Sequence, residues 1–199
     1  TKPILFYVHT PFCEQLCNFC LCSKEITQDY SRVKSYLYDY LSKEFDMLEK
    51  HLAENKINFN FKEIYLGGGS PTYYKKEEFK YLIKRLKNLI DFNNLGDFTI
   101  EVDPRRVTEE TLIFYHEMGV NRLSFGIQDF DHGVQEEINR IQPPELLDKL
   151  LTPKIRKLFP VINFDLLIGL PRQTTKTIEK TINEVTRLRP SQLQTMYVH

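Results

Sequence analysis

Ile4-Leu5-Phe6-Tyr7-Val8-His9, followed by Thr10-Pro11-Phe12-Cys13-Glu14-Gln15-Leu16-Cys17-Asn18-Phe19-Cys20-Leu21-Cys22, joins a strand-sized apolar run to a loop that holds every cysteine of the 199-residue chain. The spacing Cys-x3-Cys-x2-Cys-x-Cys gathers soft ligands, and thiolates select iron-sulfur clusters or zinc. Disulfide staples would be distributed between distant segments, because a bridge that closes a longer loop constrains the unfolded chain more. Spacing alone leaves three readings open: a cluster held by three thiolates, a structural zinc held by four, and a chance grouping of buried thiols. Finger- and ribbon-type zinc sites bring together two ligand pairs from separated segments, and no second pair exists here. Three thiolates on a cubane leave one iron open to a small molecule.

Outward from this loop, strand-like runs alternate with helix-period stripes, the pattern of repeated strand-helix units on a parallel sheet. Strands are expected at Ile4 to His9, Ile64 to Leu66, Phe98 to Val102, Leu123 to Ile127, Val161 to Ile168 and Leu193 to Val198. Val33, Leu37, Leu41, Phe45, Leu48 and Leu52 form one apolar helical stripe, and Phe79, Leu82, Ile83, Leu86, Leu89 and Ile90 a second. Thr108-Glu109-Glu110 opens a short helix with a capping hydroxyl and acids in its first turn, and Gly119 suits its left-handed end. Pro153 should break or kink the run from Leu146 to Leu158. Ile178, Ile182, Val185 and Leu188 mark the last helix. Six strands and five helices in α/β alternation make a partial parallel barrel or an open doubly wound sheet, and in both the chemistry collects at the C-terminal strand ends. The cysteines, Gly67-Gly68-Gly69, Glu101, Gln128, Asp165 and His199 all fall at or just beyond such ends.

Composition narrows the function classes. Lys plus Arg equals Asp plus Glu at 27 each, so no net basic field argues for nucleic acid. The apolar runs are strand-sized, too short to span a bilayer, and Thr1-Lys2-Pro3 does not read as a signal peptide. The thiol group suits a reducing, cytoplasmic setting. Residues 1–199 read as one core domain of a longer chain, with an N-terminal extension and a C-terminal domain outside it, and little turnover is expected of the core alone.

Read in order, the cysteine loop, Gly67-Gly68-Gly69-Ser70-Pro71-Thr72-Tyr73, Glu101-Val102-Asp103-Pro104, Asn121 to Phe130, Asn139-Arg140 and Asp165 to Pro171 resemble the radical S-adenosylmethionine enzymes, and within them the oxygen-independent coproporphyrinogen III oxidase family. The resemblance implies a partial (β/α)6 barrel and a [4Fe-4S] cluster on Cys13, Cys17 and Cys20, with Cys22 outside the ligand set. It implies S-adenosylmethionine chelated at the open iron, with Gly67, Gly68 and Gly69 beside its methionine moiety and Glu101 accepting from its ribose. By motif position Tyr7 and Gly69 fall at this first cofactor site. Phe19, Ser70, Gln128, Arg140, Asp165 and Val198 fall where family members hold a second S-adenosylmethionine. The implied reaction is oxidative decarboxylation of two propionates of coproporphyrinogen III to give protoporphyrinogen IX in haem biosynthesis, with an external low-potential electron donor, by a monomer. A haem chaperone and an anaerobic haem-degrading methyltransferase of the same branch are the alternatives.

Two positions depart from the family pattern: Leu21 and Ser23 stand where glycine and asparagine are usual, and Leu21 is expected to crowd the second cofactor site. Ser70 keeps the hydroxyl of the commoner threonine. The plain reading of Arg140 and Asp165 is an ion pair, and that of Cys22 an inert buried thiol. Arg105 and Arg106 read as a solvated basic pair or as partners for substrate propionates. His9 reads as a packing or hydrogen-bonding residue, His51, His116 and His132 as solvated, and the Tyr and Phe residues as mostly core.

Overall fold

The computed structural model describes residues 2–198. Strand β1 (Pro3–Thr10) runs into the cysteine loop, whose limbs carry two short strands, β2 (Phe12–Cys13) and β3 (Glu25–Ile26), paired in parallel. A long helical segment follows as α1 (Tyr30–Ser35), a π turn (Tyr36–Leu41) and α2 (Ser42–Glu54). Then come β4 (Asn60–Gly68), α3 (Lys76–Leu89), β5 (Asp97–Val102), α4 (Glu109–Glu117) and β6 (Arg122–Gln128). Three short helices, α5 (His132–Glu137), α6 (Glu145–Leu150) and α7 (Pro153–Leu158), lead to β7 (Val161–Ile168), α8 (Thr175–Leu188) and β8 (Gln192–Tyr197).

The main sheet has the order β1-β4-β5-β6-β7-β8, and every neighbouring pair is parallel. Each crossover therefore steps in one direction. Right-handed crossovers that never reverse place all their helices on one face, so the sheet curls as a partial six-stranded barrel. A doubly wound sheet needs a reversal of strand order, and there is none.

Side chains alternate across each strand. In β6 Leu123, Phe125 and Ile127 are fully buried toward the helices, while Arg122, Ser124, Gly126 and Gln128 face the open interior. Leu66, Ile100 and Phe164 continue the buried layer against Phe79, Leu82, Leu86 and Leu112. The interior face is polar instead, with Tyr65, Glu101, Ser124, Asn163 and Asp165 joined by hydrogen bonds. Polar lining at the C-terminal strand ends prepares a ligand site; the helix-facing layer holds the fold.

Pro153 breaks the run as expected, ending one helix at Leu150 and starting another: it occupies the first turn of α7, where its missing N–H costs nothing, and Thr152 caps it. The observed elements differ from the expected ones where tertiary partners outweigh local pattern. β4 begins at Asn60, four residues before the expected start, because β1 offers a partner for the extra residues. The helical stripe from Val33 to Leu52 contains a π turn, in which the Ser42 N–H reaches the Leu37 carbonyl. At its start the Tyr36 hydroxyl donates to the His9 carbonyl at 2.9 Å. Thr108 caps α4, and Gly119 has φ +104°. Tyr40 and Tyr197 are exposed rather than core, and so in part are Tyr7 and Phe59. β8 ends at Tyr197, so Val198 follows the strand, and His199 lies outside the described residues.

Candidate functional site

The cysteine loop leaves β1 and is tied back at several points. Glu25 N–H donates to the Pro11 carbonyl and Thr27 N–H to the Cys13 carbonyl, which closes the loop at its neck. His9 is the hydrogen-bonding residue anticipated from its place: Nε2–H donates to the Ser23 carbonyl at 2.8 Å, and Nδ1 accepts from the Tyr7 hydroxyl at 3.0 Å. A carbonyl can only accept, which assigns the tautomer. Lys24 Nζ donates to the carbonyls of Cys20 and Cys22.

A cavity of about 750 Å³ opens at the C-terminal edge of the sheet. Cys13, Cys17 and Cys20 line one side, and Gly68, Gly69 and Ser70 the turn after β4. Glu101, Gln128, Arg140 and Asp165 come from the ends of β5, β6 and β7 and the turn after α5, while Phe19 and Val198 complete the walls. Among the residues singled out in the sequence, Tyr7 is placed differently: it stands behind Gly67, its ring stacked on Tyr65 at 6.0 Å. Leu21 is 94% exposed and stands at the mouth, so it does not crowd the interior as expected. Cys22 is exposed, not a buried thiol.

One feature marks these walls as built for a ligand. Gln128 has φ +68° beside a register shift in the β6-β7 pairing, and its buried Oε1 has no hydrogen-bond partner. Strain and an unmet polar atom persist where function over-determines them. At the turn after β4, a Cβ on Gly69 would lie 2.9 Å from the main chain of Pro11 and Phe12; only glycine lets the turn pack this closely on the loop.

The charged groups sort themselves by partner. Arg140 does not pair with Asp165, as its plain reading had it. Its Nη1 lies 3.6 Å from Cys17 Sγ and 3.7 Å from Asp103 Oδ2. Asp165 accepts instead from Ser124 Oγ and Asn163 Nδ2. Arg105 and Arg106 are not solvated either: Arg105 clasps the Asp103 carboxylate, and Arg106 pairs with Glu14 over the Tyr73 ring. His116 packs its ring on Phe159, whereas His51 and His132 are exposed. Burial raises Asp103, but the Arg105 hydrogen bonds and the charges of Arg140 and Arg105 outweigh it and hold the group below the ordinary carboxylate range.

Burial pushes Glu101 and Asp165 the other way, above that range. Glu101 accepts from the Tyr65 hydroxyl at 3.0 Å and the Gly68 N–H at 3.1 Å, and these bonds only partly offset its desolvation. A carboxyl with a raised folded pKa favours the fold when protonated, so its contribution falls as pH climbs from the ordinary carboxylate range through the folded value. Glu101→Gln is therefore expected to raise stability at about pH 8 relative to the native protein and to lose that advantage near pH 4, measured by urea unfolding at both. An equal difference at the two pH values contradicts the assignment.

Comparison with known proteins follows the same residues. The sequence profile of the radical SAM superfamily matches residues 7–185. The chain belongs to that superfamily. It is 36% identical over 201 residues to the oxygen-independent coproporphyrinogen III oxidase of Pseudomonas aeruginosa, covering 99% of this chain and 43% of the relative. The solved coproporphyrinogen III oxidase of Escherichia coli, described as a radical SAM enzyme, superposes with a TM-score of 0.85 at 35% identity, over 99% of this chain and 44% of that one. A radical S-adenosylmethionine methyltransferase of Kitasatospora setae shares the fold, with a TM-score of 0.64 at 14% identity over 97% of this chain and 36% of that one. The chain thus spans less than half the length of these relatives.

For a radical SAM protein the donor set fits an iron-sulfur cluster. Tetrahedral zinc at about 2.3 Å from each sulfur holds its thiolates about 3.8 Å apart. Among the described residues no three Cys, His, Asp or Glu side chains are gathered closely enough for a single ion. A cubane takes its three thiolates on three different irons, and Cys13, Cys17 and Cys20 all line one cavity wall. Sequence reasoning missed Asp103, Gln135 and Gln142, which carry no periodicity and matter only through their partners. No helix among the described residues is long and apolar enough to cross a membrane.

Proposed function

We propose that this chain is the cofactor-binding core of a radical SAM oxidoreductase that decarboxylates two propionates of a coproporphyrinogen to vinyl groups, in haem biosynthesis. The observation that carries the reading is the convergence of three loop cysteines, the glycine turn and two half-buried carboxyls on one cavity at the sheet's C-terminal edge. Cys13, Cys17 and Cys20 would hold a [4Fe-4S] cluster. When bound, the cluster and S-adenosylmethionine would supply reductive cleavage of a sulfonium bond and, through it, hydrogen-atom abstraction beside each propionate, after which carbon dioxide leaves and the remaining electron passes to an external acceptor.

The protein's own residues bind and aim. Gly68 and Gly69 offer unhindered main chain to a cofactor's amino-acid end. Glu101, kept in place by Tyr65 and the Gly68 N–H, would take its ribose. Gln128, Asp165 and Arg140 sit where a second S-adenosylmethionine would bind, together with Phe19, Ser70 and Val198. Tyr7 supports the first site through His9. The reading carries an external low-potential electron donor, a cytoplasmic setting and a monomer.

Anaerobic incubation of a longer protein that contains this chain with coproporphyrinogen III, dithionite, S-adenosylmethionine and an electron acceptor is expected to yield vinyl product and 5'-deoxyadenosine, and residues 1–199 alone are expected to turn over little. Cofactor cleavage with the porphyrinogen left intact contradicts the substrate assignment. Haem retained one to one without turnover favours a chaperone instead.

A further inference from the structure

The turn that follows α5 is docked onto the middle of the cysteine loop. Asn18 N–H donates to the Ile138 carbonyl and Asn18 Nδ2 to that of Glu137, at 3.0 and 2.8 Å. Gln15 Nε2 donates to Asn139 Oδ1 at 2.6 Å, and Asn139 Nδ2 returns a bond to the Leu16 carbonyl at 2.8 Å. Cys17, only 8% exposed, lies between these ties, and one residue beyond Asn139 the Arg140 guanidinium reaches its sulfur.

A flexible arginine needs a reason to stay there, since Asp103 lies within 3.7 Å of the same nitrogen. The reason is Gln142, which is fully buried. Its Oε1 accepts from Arg140 Nε at 3.1 Å, while its Nε2 donates to the carbonyls of Gly126 and Ile127. Arg140 Nη2 binds the same Gly126 carbonyl at 2.9 Å, which sets the plane of the fork. Gln142 is held in turn by Gln135, which accepts from its N–H and donates to its carbonyl. Every polar group of the amide is engaged, so its orientation is fixed by the fold.

We propose that Gln142 is a positioning residue that holds Arg140 as hydrogen-bond donor to Cys17 Sγ and so raises the reduction potential of the iron-sulfur cluster; this rests on the cluster reading above. Reduction adds negative charge to a cluster, and a cationic donor on a ligand sulfur favours the more negative state. Partners one shell beyond a metal ligand act in this way on the centre itself.

The test is an EPR-monitored redox titration of the protein reconstituted under argon with iron and sulfide, alongside Gln142→Met, Arg140→Met and the double variant. The midpoint is expected to move to more negative potential in each single variant, and the double variant to move no further than Arg140→Met, because Gln142 acts through that side chain. A purely structural role for Gln142 lowers the melting temperature and leaves the midpoint in place; that result overturns the proposal. Should Gln142→Met not fold, Gln142→Asn, whose shorter side chain cannot reach Arg140 Nε while keeping its amide on the Gly126 and Ile127 carbonyls, takes its place, and an unchanged midpoint there overturns the proposal as well. A native preparation without iron and sulfide sinks both the cluster reading and this proposal, whereas a loaded protein whose variants keep its midpoint sinks the proposal only.

Discussion

Replacing Cys13, Cys17 or Cys20 with serine is expected to reduce iron and sulfide uptake from about four atoms of each per chain to background, while Cys22→Ser leaves uptake unchanged. The three inner cysteines line the cavity, and Cys22 is exposed at its mouth. In the metal-free protein burial first, and then the neighbouring Cys20 and Cys17, push the Cys13 thiol up to about 11, so a cluster must displace its proton on binding. Iron can do this with a thiol. The serine hydroxyl is a far weaker acid and a harder ligand, and the space it leaves is too small to matter to the fold. Iron and sulfide analysis after anaerobic reconstitution reads the result. Equal loss in all four variants would speak for a four-thiolate site.

Gly68→Val is expected to destabilise the fold by about 2–6 kcal/mol, the sum of a strained backbone and an overpacked contact. Gly68 has φ +117°, a conformation a β-branched residue adopts only at cost. Its added Cβ would lie 2.8 Å from the His9 ring and from the Thr10 carbonyl. Neither can retreat: the carbonyl belongs to the β1 main chain, and the ring is pinned by Tyr7 and Ser23. Gly133→Ala is the control. It sits in the first turn of α5 with a negative φ, and its Cβ would make an ordinary 3.4 Å contact with Asp131. Urea unfolding of both variants checks the contrast, and a Gly68→Val protein as stable as Gly133→Ala contradicts it.

The architecture was legible because its signals are local. Strands such as Leu123 to Ile127 alternate apolar Leu123, Phe125 and Ile127 with Ser124 and Gly126, and the stripe from Phe79 to Leu86 repeats at the helical period, so neither needs a partner to be seen. The choice between barrel and doubly wound sheet was not local, and only the one-directional strand order decides it. The short β2-β3 pair escaped notice because two residues carry no periodicity. The π turn escaped because Leu37 and Leu41 keep their burial through it. At the site, the cysteines, glycines and Glu101 were legible from residue type and spacing. What was not legible is pairing. Arg140 meets Asp103 and Cys17 rather than Asp165, and Arg106 meets Glu14, because these partners come from loops far apart in sequence, while Arg105 turns back on Asp103 two residues away only because the fold half-buries that carboxylate. Gln135 and Gln142 are invisible for the same reason: a glutamine reads as solvated until the fold surrounds it with carbonyls.

A cluster held by three thiolates leaves one iron open to a ligand. Electron paramagnetic resonance of the anaerobically reconstituted, reduced protein, recorded with and without S-adenosylmethionine, tests it most directly. The g values and line shape of the cluster signal are expected to change when the cofactor is added, as the open iron gains ligands. A cluster signal that is the same in both spectra, or tetrathiolate zinc in place of iron, would contradict it.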